Sequence, residues 1–189
     1  MNQKNTLGLN ICFADFDNPM DLFKIWMSEA EKNEINDPNA LSLATSNKQN
    51  EPNVRMVLLK GLSEEGFVFY TNLNSQKSKE LSTNPRAAMC FHWKSLQRQV
   101  RISGNITHVS NQEADAYYNS RAYESRIGAW ASDQSSVMNN RYDLLEKIEI
   151  YKKKYNDKKS VPRPKHWSGW CLKPNSIEFW LGDKYRIHE

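Results

Sequence analysis

The chain has 189 residues, 39% hydrophobic and 11% aromatic, which is apolar material for one folded domain and excludes an intrinsically disordered protein. The formal charge of +4 suits an anionic small molecule or mild attraction to any polyanion and decides neither. No apolar run approaches a membrane span, no basic-then-apolar leader opens the chain, and Cys12, Cys90 and Cys171 are too scattered for a disulfide framework or a CxxC zinc site. A reduced cytoplasmic protein without metal or membrane attachment is expected. With no GxGxxG and no GxxxxGK[ST], a phosphorylated ligand must be held by side chains and helix ends.

Residues 1–17 read as an irregular arm. Asn18-Pro19 is a cap followed by a first-turn proline, and Leu22, Phe23, Trp26, Met27 and Ala30 recur at helical spacing, predicting a helix over 18–33. Residues 41–45, 54–60, 67–71, 87–93 and 98–109 are rich in β-branched and aromatic side chains and predict strands. Residues 61–66 read as a turn joining two antiparallel strands. Asn74 or Ser75 can cap a short helix that Asn84-Pro85 ends. Ser110 followed by Glu113 is a capping box opening a helix through Tyr117. A further helix is predicted over 136–155 with Met138, Tyr142, Leu145, Ile148 and Tyr151 on its inner stripe. The cationic, proline-marked stretch 152–165 reads as an exposed connection, and its charges as a solvated surface and not a nucleic-acid site. Short strands at 169–172 and 177–181 close the chain. The sum is a single domain over 1–189, a mainly antiparallel β-barrel with flanking helices.

Several constellations can carry chemistry. In Arg55-Met56-Val57-Leu58-Leu59-Lys60, alternation puts Arg55 and Lys60 on opposite faces, roughly 17 Å apart at about 3.3 Å per residue, with apolar strand between them. Such a strand suits a flat ring; it reads equally as a buried strand whose charged ends reach solvent. Tyr70-Thr71 leads to Ser75-Gln76-Lys77, a strand end feeding a helix start, where free N–H groups attract an anion. Lys77 opposes the helix dipole there, as a cation does when an anion is its partner. Tyr117, Arg121 and Ser125, four apart, fall along one side of a continuing helix, as a phosphate clamp or as a solvent-facing stripe. Arg186 and His188 share one face of a strand-like tail near Trp180.

Taken in order with Phe69-Tyr70-Thr71-Asn72, Arg98-Gln99-Val100, Ile127-Gly128-Ala129-Trp130, Gln134-Ser135-Ser136 and Phe179-Trp180, these segments closely resemble the pyridoxine/pyridoxamine 5'-phosphate oxidase family over residues 37–188. The resemblance implies a split β-barrel that dimerises and binds flavin mononucleotide (FMN) between subunits. It implies that Arg55 reaches the flavin phosphate and that Met56, Val57, Leu58, Leu59 and Lys60 line the flavin. Tyr70, Thr71, Gln76 and Lys77 match further flavin contacts, as do Gln99, Gln134, Ser135 and Trp180. Lys60, Tyr117, Arg121 and Ser125 match the holders of the substrate phosphate, and Arg186 and His188 the catalytic pair that orients the substrate. The implied reaction takes a hydride from C4' of pyridoxine or pyridoxamine 5'-phosphate onto the flavin, yielding pyridoxal 5'-phosphate, with oxygen as final acceptor and hydrogen peroxide as product.

Departures from the family pattern are visible. Gln76 stands where an arginine is usual, Leu181 where a glutamine is, and Glu189 where an aspartate is. The sequence stops just after the Arg-x-His pair, where the family continues with a strand and a flavin-contacting arginine. The arginine and tyrosine that cover the substrate have no clear counterpart in 1–17. Weaker flavin retention is expected. Two rival functions stay open on sequence alone: a non-catalytic split-barrel protein that holds FMN or pyridoxal phosphate, and a flavin reductase.

Overall fold

The computed structural model describes residues 16–138, 140–158 and 160–182. Asn18 caps the first helix, its side chain accepting from Met20 N at 2.9 Å, with Pro19 in the first turn. Helix α1 (Pro19–Asn33) turns Phe23, Trp26 and Ala30 inward, all fully buried. Strands β1 (Ala40–Ser46), β2 (Pro52–Leu58), β3 (Gly61–Ser63) and β4 (Gly66–Asn72) follow, then helix α2 (Gln76–Thr83) and strand β5 (Arg86–Trp93). A single 3-10 turn (Lys94–Leu96) leads into β6 (Arg98–His108). Helices α3 (Asn111–Ser120), α4 (Tyr123–Ala131) and α5 (Arg141–Lys154) precede the last strand, β7 (Trp167–Leu181).

The seven strands make one antiparallel sheet in the order β2-β1-β5-β6-β7-β4-β3. Its two ends come from neighbouring residues: Leu59 N donates to Asn39 O beside β1, and Lys60 N donates to Val68 O of β4, both at 2.8 Å. The sheet is therefore curled into a half-barrel. Helix α1 fills its mouth, with Phe23 edge-on to Phe67 (4.9 Å) and Phe91 (5.1 Å) and Trp26 edge-on to Phe179 (5.2 Å). Arg98, wholly buried at the start of β6, lies 4.4 Å from the Trp26 ring and pairs with Glu29. No helix among the described residues is long and apolar enough to cross a membrane.

Four sequence expectations need correction. The turn over 61–66 was expected to join the strands on either side of it as partners. It closes only the short β3–β4 pairing, and β2 lies at the other end of the strand order, because its apolar register is taken by β1. The two closing strands are one 15-residue strand, β7. Pro174 is tolerated within it because the ladder to β6 shifts register between Ser103 and Gly104, and at Gly104 any Cβ would overlap the Lys173 carbonyl. The helix predicted from 136 starts at Arg141, and its supposed inner stripe is open: Met138, Tyr142 and Leu145 are 53%, 74% and 51% exposed. Periodicity marks a face, but only a partner buries it, and among the described residues α5 meets α4 near its C-terminal end, where Tyr151 lies 5.5 Å from Trp130 and Lys152 O accepts from the Tyr123 hydroxyl at 3.5 Å. Lastly, 152–165 is not uniformly an exposed connection. Its first three residues belong to α5, Val161 and Pro164 are buried, and Arg163 pairs with Asp115 at 2.6 Å.

Candidate active site

A cavity of about 510 Å³ opens where β2, β4, α2, the end of α3 and the start of β7 converge. Its volume lies in the range of small-molecule sites. From β2 come Arg55, Met56, Val57 and Leu58, and Lys60 follows just after the strand. As an end strand of the sheet, β2 has one edge without a ladder partner among the described residues, so main-chain N–H and C=O groups remain on offer there. Leu59 is the exception within the hexamer: it is 7% exposed and belongs to the hydrophobic core, not to the cavity wall.

One cationic group gathers at the α2 end. Ser75 caps α2 without a side-chain bond to the helix N–H groups, and its hydroxyl accepts from Lys77 Nζ at 3.3 Å. Lys77 Nζ also donates to Thr71 Oγ1 (3.2 Å) and Gln134 Oε1 (3.5 Å). Burial lowers the Lys77 pKa from the usual lysine value, the Arg55 charge lowers it further, and Glu80 opposes both. Arg55 donates through Nη1 to Leu43 O (3.2 Å) and to Thr45 Oγ1, and through Nη2 to Glu80 (3.3 Å). Gln76 Nε2 donates to the same carboxylate at 2.8 Å.

A second cationic group stands on aromatic rings. Tyr70 stacks on Tyr117 with centroids 4.0 Å apart and on Trp167 at 5.3 Å, the latter pair within 6° of parallel. Gly169, opposite Tyr70 in the β4–β7 register, makes room for this ring; a Cβ there would lie 2.7 Å from it. The Tyr70 hydroxyl donates to Glu113 at 3.4 Å, and burial, then Glu113, push its pKa up. Arg121 lies 4.8 Å from the Trp167 ring, and its Nη1 is buried with no hydrogen-bond partner among the described residues. Burial lowers the Arg121 pKa, partly offset by Tyr117 and Tyr118. A buried, unpaired guanidinium N–H lining a cavity is costly in isolation and is satisfied by an anionic ligand.

The three-residue clamp does not lie along one helix. Helix α3 ends at Ser120, Arg121 takes extended backbone (φ −75°, ψ 151°), and α4 restarts at Tyr123. The Arg121 N–H closes back only onto Tyr118 O, so the i+4 spacing does not carry past it. Tyr117 and Arg121 reach the cavity; Ser125, on α4, is exposed and outside its lining. Thr71, Gln134 and Ser135 do line it. Gln99 and Trp180 face each other across β6 and β7, outside this cavity within the chain. Arg186 and His188 lie outside the described residues.

Sequence reasoning missed Trp167, Glu80 and Thr45. Trp167 sits in His166-Trp167-Ser168-Gly169-Trp170, where two small residues between tryptophans were the available signal of a ring needing space. Nothing local marked Glu80 or Thr45, which meet only in the fold.

The chain matches the family model described as pyridoxamine 5'-phosphate oxidase over residues 27–180. A pyridoxine/pyridoxamine 5'-phosphate oxidase from Pelagibacter ubique is 67% identical over all 189 residues, covering 91% of that relative. The chain belongs to the pyridoxamine 5'-phosphate oxidase family. Among solved structures, PhzG from Burkholderia lata, bound to tetrahydrophenazine-1-carboxylic acid, matches with a TM-score of 0.87 at 26% identity, over 94% of this chain and 86% of that one. A pyridoxamine 5'-phosphate oxidase-related, FMN-binding protein from Nostoc punctiforme matches with a TM-score of 0.68 at 14% identity, over 93% and 97% of the two chains, a likeness of fold. The half-barrel is thus the split barrel of this family.

Proposed function

We propose that the protein is an FMN-dependent oxidase of pyridoxine 5'-phosphate and pyridoxamine 5'-phosphate, producing pyridoxal 5'-phosphate. The observation that carries this is the presence of two separate cationic groups on one cavity, Arg55 with Lys77 and Arg121 on its aromatic bed. A phosphorylated cofactor and a phosphorylated substrate need two such groups. FMN fits the first: Arg55 and Lys77 take its phosphate, and the open edge of β2 offers N–H and C=O groups to the polar rim of its ring. When bound, the flavin supplies the redox step, accepting a hydride from substrate C4' and returning the electrons to oxygen. The chain's own work is holding and orienting. Arg121, with Tyr117 and Lys60, grips the substrate phosphate, while the Tyr70–Tyr117–Trp167 stack gives the planar guanidinium a flat bed and keeps it partly dry.

In this reading Gln99, Trp180, Ser125, Arg186 and His188 complete the site from a second copy of the chain or from the chain's last residues. The homodimer is supported by the open apolar face of β2, where Val54 and Met56 are 70% and 62% exposed. Cytoplasmic work in a reducing compartment fits the unbridged Cys90 and Cys171.

The direct test is aerobic formation of pyridoxal 5'-phosphate from each substrate with purified protein and saturating FMN. Flavin-dependent product with matching peroxide is expected; no product at saturating flavin overturns the oxidase and leaves a binding protein.

Gln76 gives a second expectation. Its neutral amide donates to the Glu80 carboxylate, and it offers no positive charge where the family pattern has an arginine. Gln76→Arg is expected to tighten FMN binding about tenfold or more, since a charged hydrogen bond contributes about 1.5–3 kcal/mol. Flavin fluorescence titration checks this, and an unchanged dissociation constant removes Gln76 from the phosphate site.

A further inference from the structure

Glu80 is 2% exposed and does not line the cavity, yet four donors converge on it. Its Oε1 accepts from Gln76 Nε2 and Asn53 Nδ2, both at 2.8 Å. Its Oε2 accepts from Arg55 Nη2 at 3.3 Å and from the Thr45 hydroxyl. One carboxylate thus joins β1, β2 and the first turn of α2 behind the α2-end cationic group. All four partners are donors, so the position demands an acceptor on both oxygens; a glutamine amide would turn N–H groups toward two of them. Burial alone would raise the carboxyl pKa, but the bonds from Thr45 and Gln76 and the Arg55 charge outweigh it and hold it below the usual value.

Placing a buried negative charge behind a site for a dianion is unfavourable on Coulomb grounds alone. The compensation is geometric. Arginine carries large rotamer freedom, and a guanidinium already held by Thr45, Leu43 and Glu80 has little left to lose when an anion arrives. We propose that Glu80 is the positioning residue of the cofactor-phosphate site, acting through Arg55 and Gln76, which it holds toward the cavity. This rests on the reading that Arg55 meets the phosphate of FMN.

FMN and riboflavin, the same ring without the phosphate, separate positioning from packing. Their affinities are measured by fluorescence titration on the full chain for wild type, Glu80→Gln, Glu80→Asp, Arg55→Ala and Arg55→Ala/Glu80→Gln, with thermal unfolding of each apo form as the folding control. Glu80→Gln keeps the shape and loses the charge; Glu80→Asp keeps the charge and loses the reach, and it carries the test if the first variant does not fold. The expected result is about a tenfold loss of FMN affinity in both, riboflavin affinity within about twofold of wild type, and a double variant no weaker than Arg55→Ala alone. Tighter or unchanged FMN binding in Glu80→Gln overturns positioning in favour of a mere buried charge. Equal losses for both flavins overturn it in favour of packing. If Arg55→Ala binds FMN as wild type does, the phosphate-site reading itself falls, and the role of Glu80 falls with it.

Discussion

Arg121→Ala is expected to raise the KM for pyridoxine 5'-phosphate by about 10- to 150-fold while changing FMN affinity by less than about threefold. The range follows from losing a charge-assisted bond worth about 1.5–3 kcal/mol, at about 1.4 kcal/mol per factor of ten. The asymmetry follows from placement: Arg121 stands on Trp167 and Tyr118, whereas the group proposed for the flavin phosphate is built by Arg55 and Lys77 on β2 and α2. A phosphate handle remote from C4' binds ground state and transition state alike, so KM moves more than kcat. Arg121→Lys is expected to recover little, because an ammonium offers neither the flat face that lies against Trp167 nor two parallel donors. Steady-state kinetics with flavin saturating decides it; an unchanged KM removes Arg121 from the substrate clamp.

The second large effect is expected at Trp167. It is 6% exposed and packs against Tyr70 at 5.3 Å, Tyr118 at 5.1 Å and Arg121 at 4.8 Å. Trp167→Ala is expected to cost about 3–5 kcal/mol of stability, as buried large-to-small changes do. At about 2–4 °C per kcal/mol for a chain of this size, the midpoint of thermal unfolding falls by roughly 6–20 °C. The same change frees Arg121 from its bed, so KM rises as well. Trp167→Phe keeps a ring for Tyr70 and is expected to recover most of the stability. A Trp167→Ala midpoint within about 2 °C of wild type would show that the stack does not hold this wall together.

Much of this architecture was legible because it is local. Strand-favouring composition marked a strand over 54–60, Asn18-Pro19 and Ser110–Glu113 marked helix starts, and the structure has all three. The cavity residues on β2, β4 and α2 came from the ordered motifs, with Leu59 the one that turns to the core. The break at Arg121 was not legible, since Arg121-Ala122 contains no proline or glycine and the helix yields there to tertiary contacts of the arginine. The open stripe of α5 was misread for the opposite reason, a local pattern with no partner among the described residues over most of its length. Trp167 and Glu80 matter through contacts with residues distant in sequence, such as Tyr70 and Thr45, and no window along the chain brings those together.

The pairing of β4 with β7 has a kinetic meaning. Tyr70 meets Gly169 across about a hundred residues, whereas β1 with β2 and β5 with β6 are near neighbours along the chain. The local hairpins can form early, but the cavity has its Trp167 wall only once β7 has docked, after the costliest loop closure. With β7 docking last, a ligand that needs the finished cavity is expected to find nothing to bind in the folding transition state. It therefore lowers the native state without lowering the barrier to reach it. A substrate phosphate gripped by Arg121 on the Trp167 wall is then expected to slow unfolding, lengthening the life of the folded chain and leaving the rate at which it folds untouched.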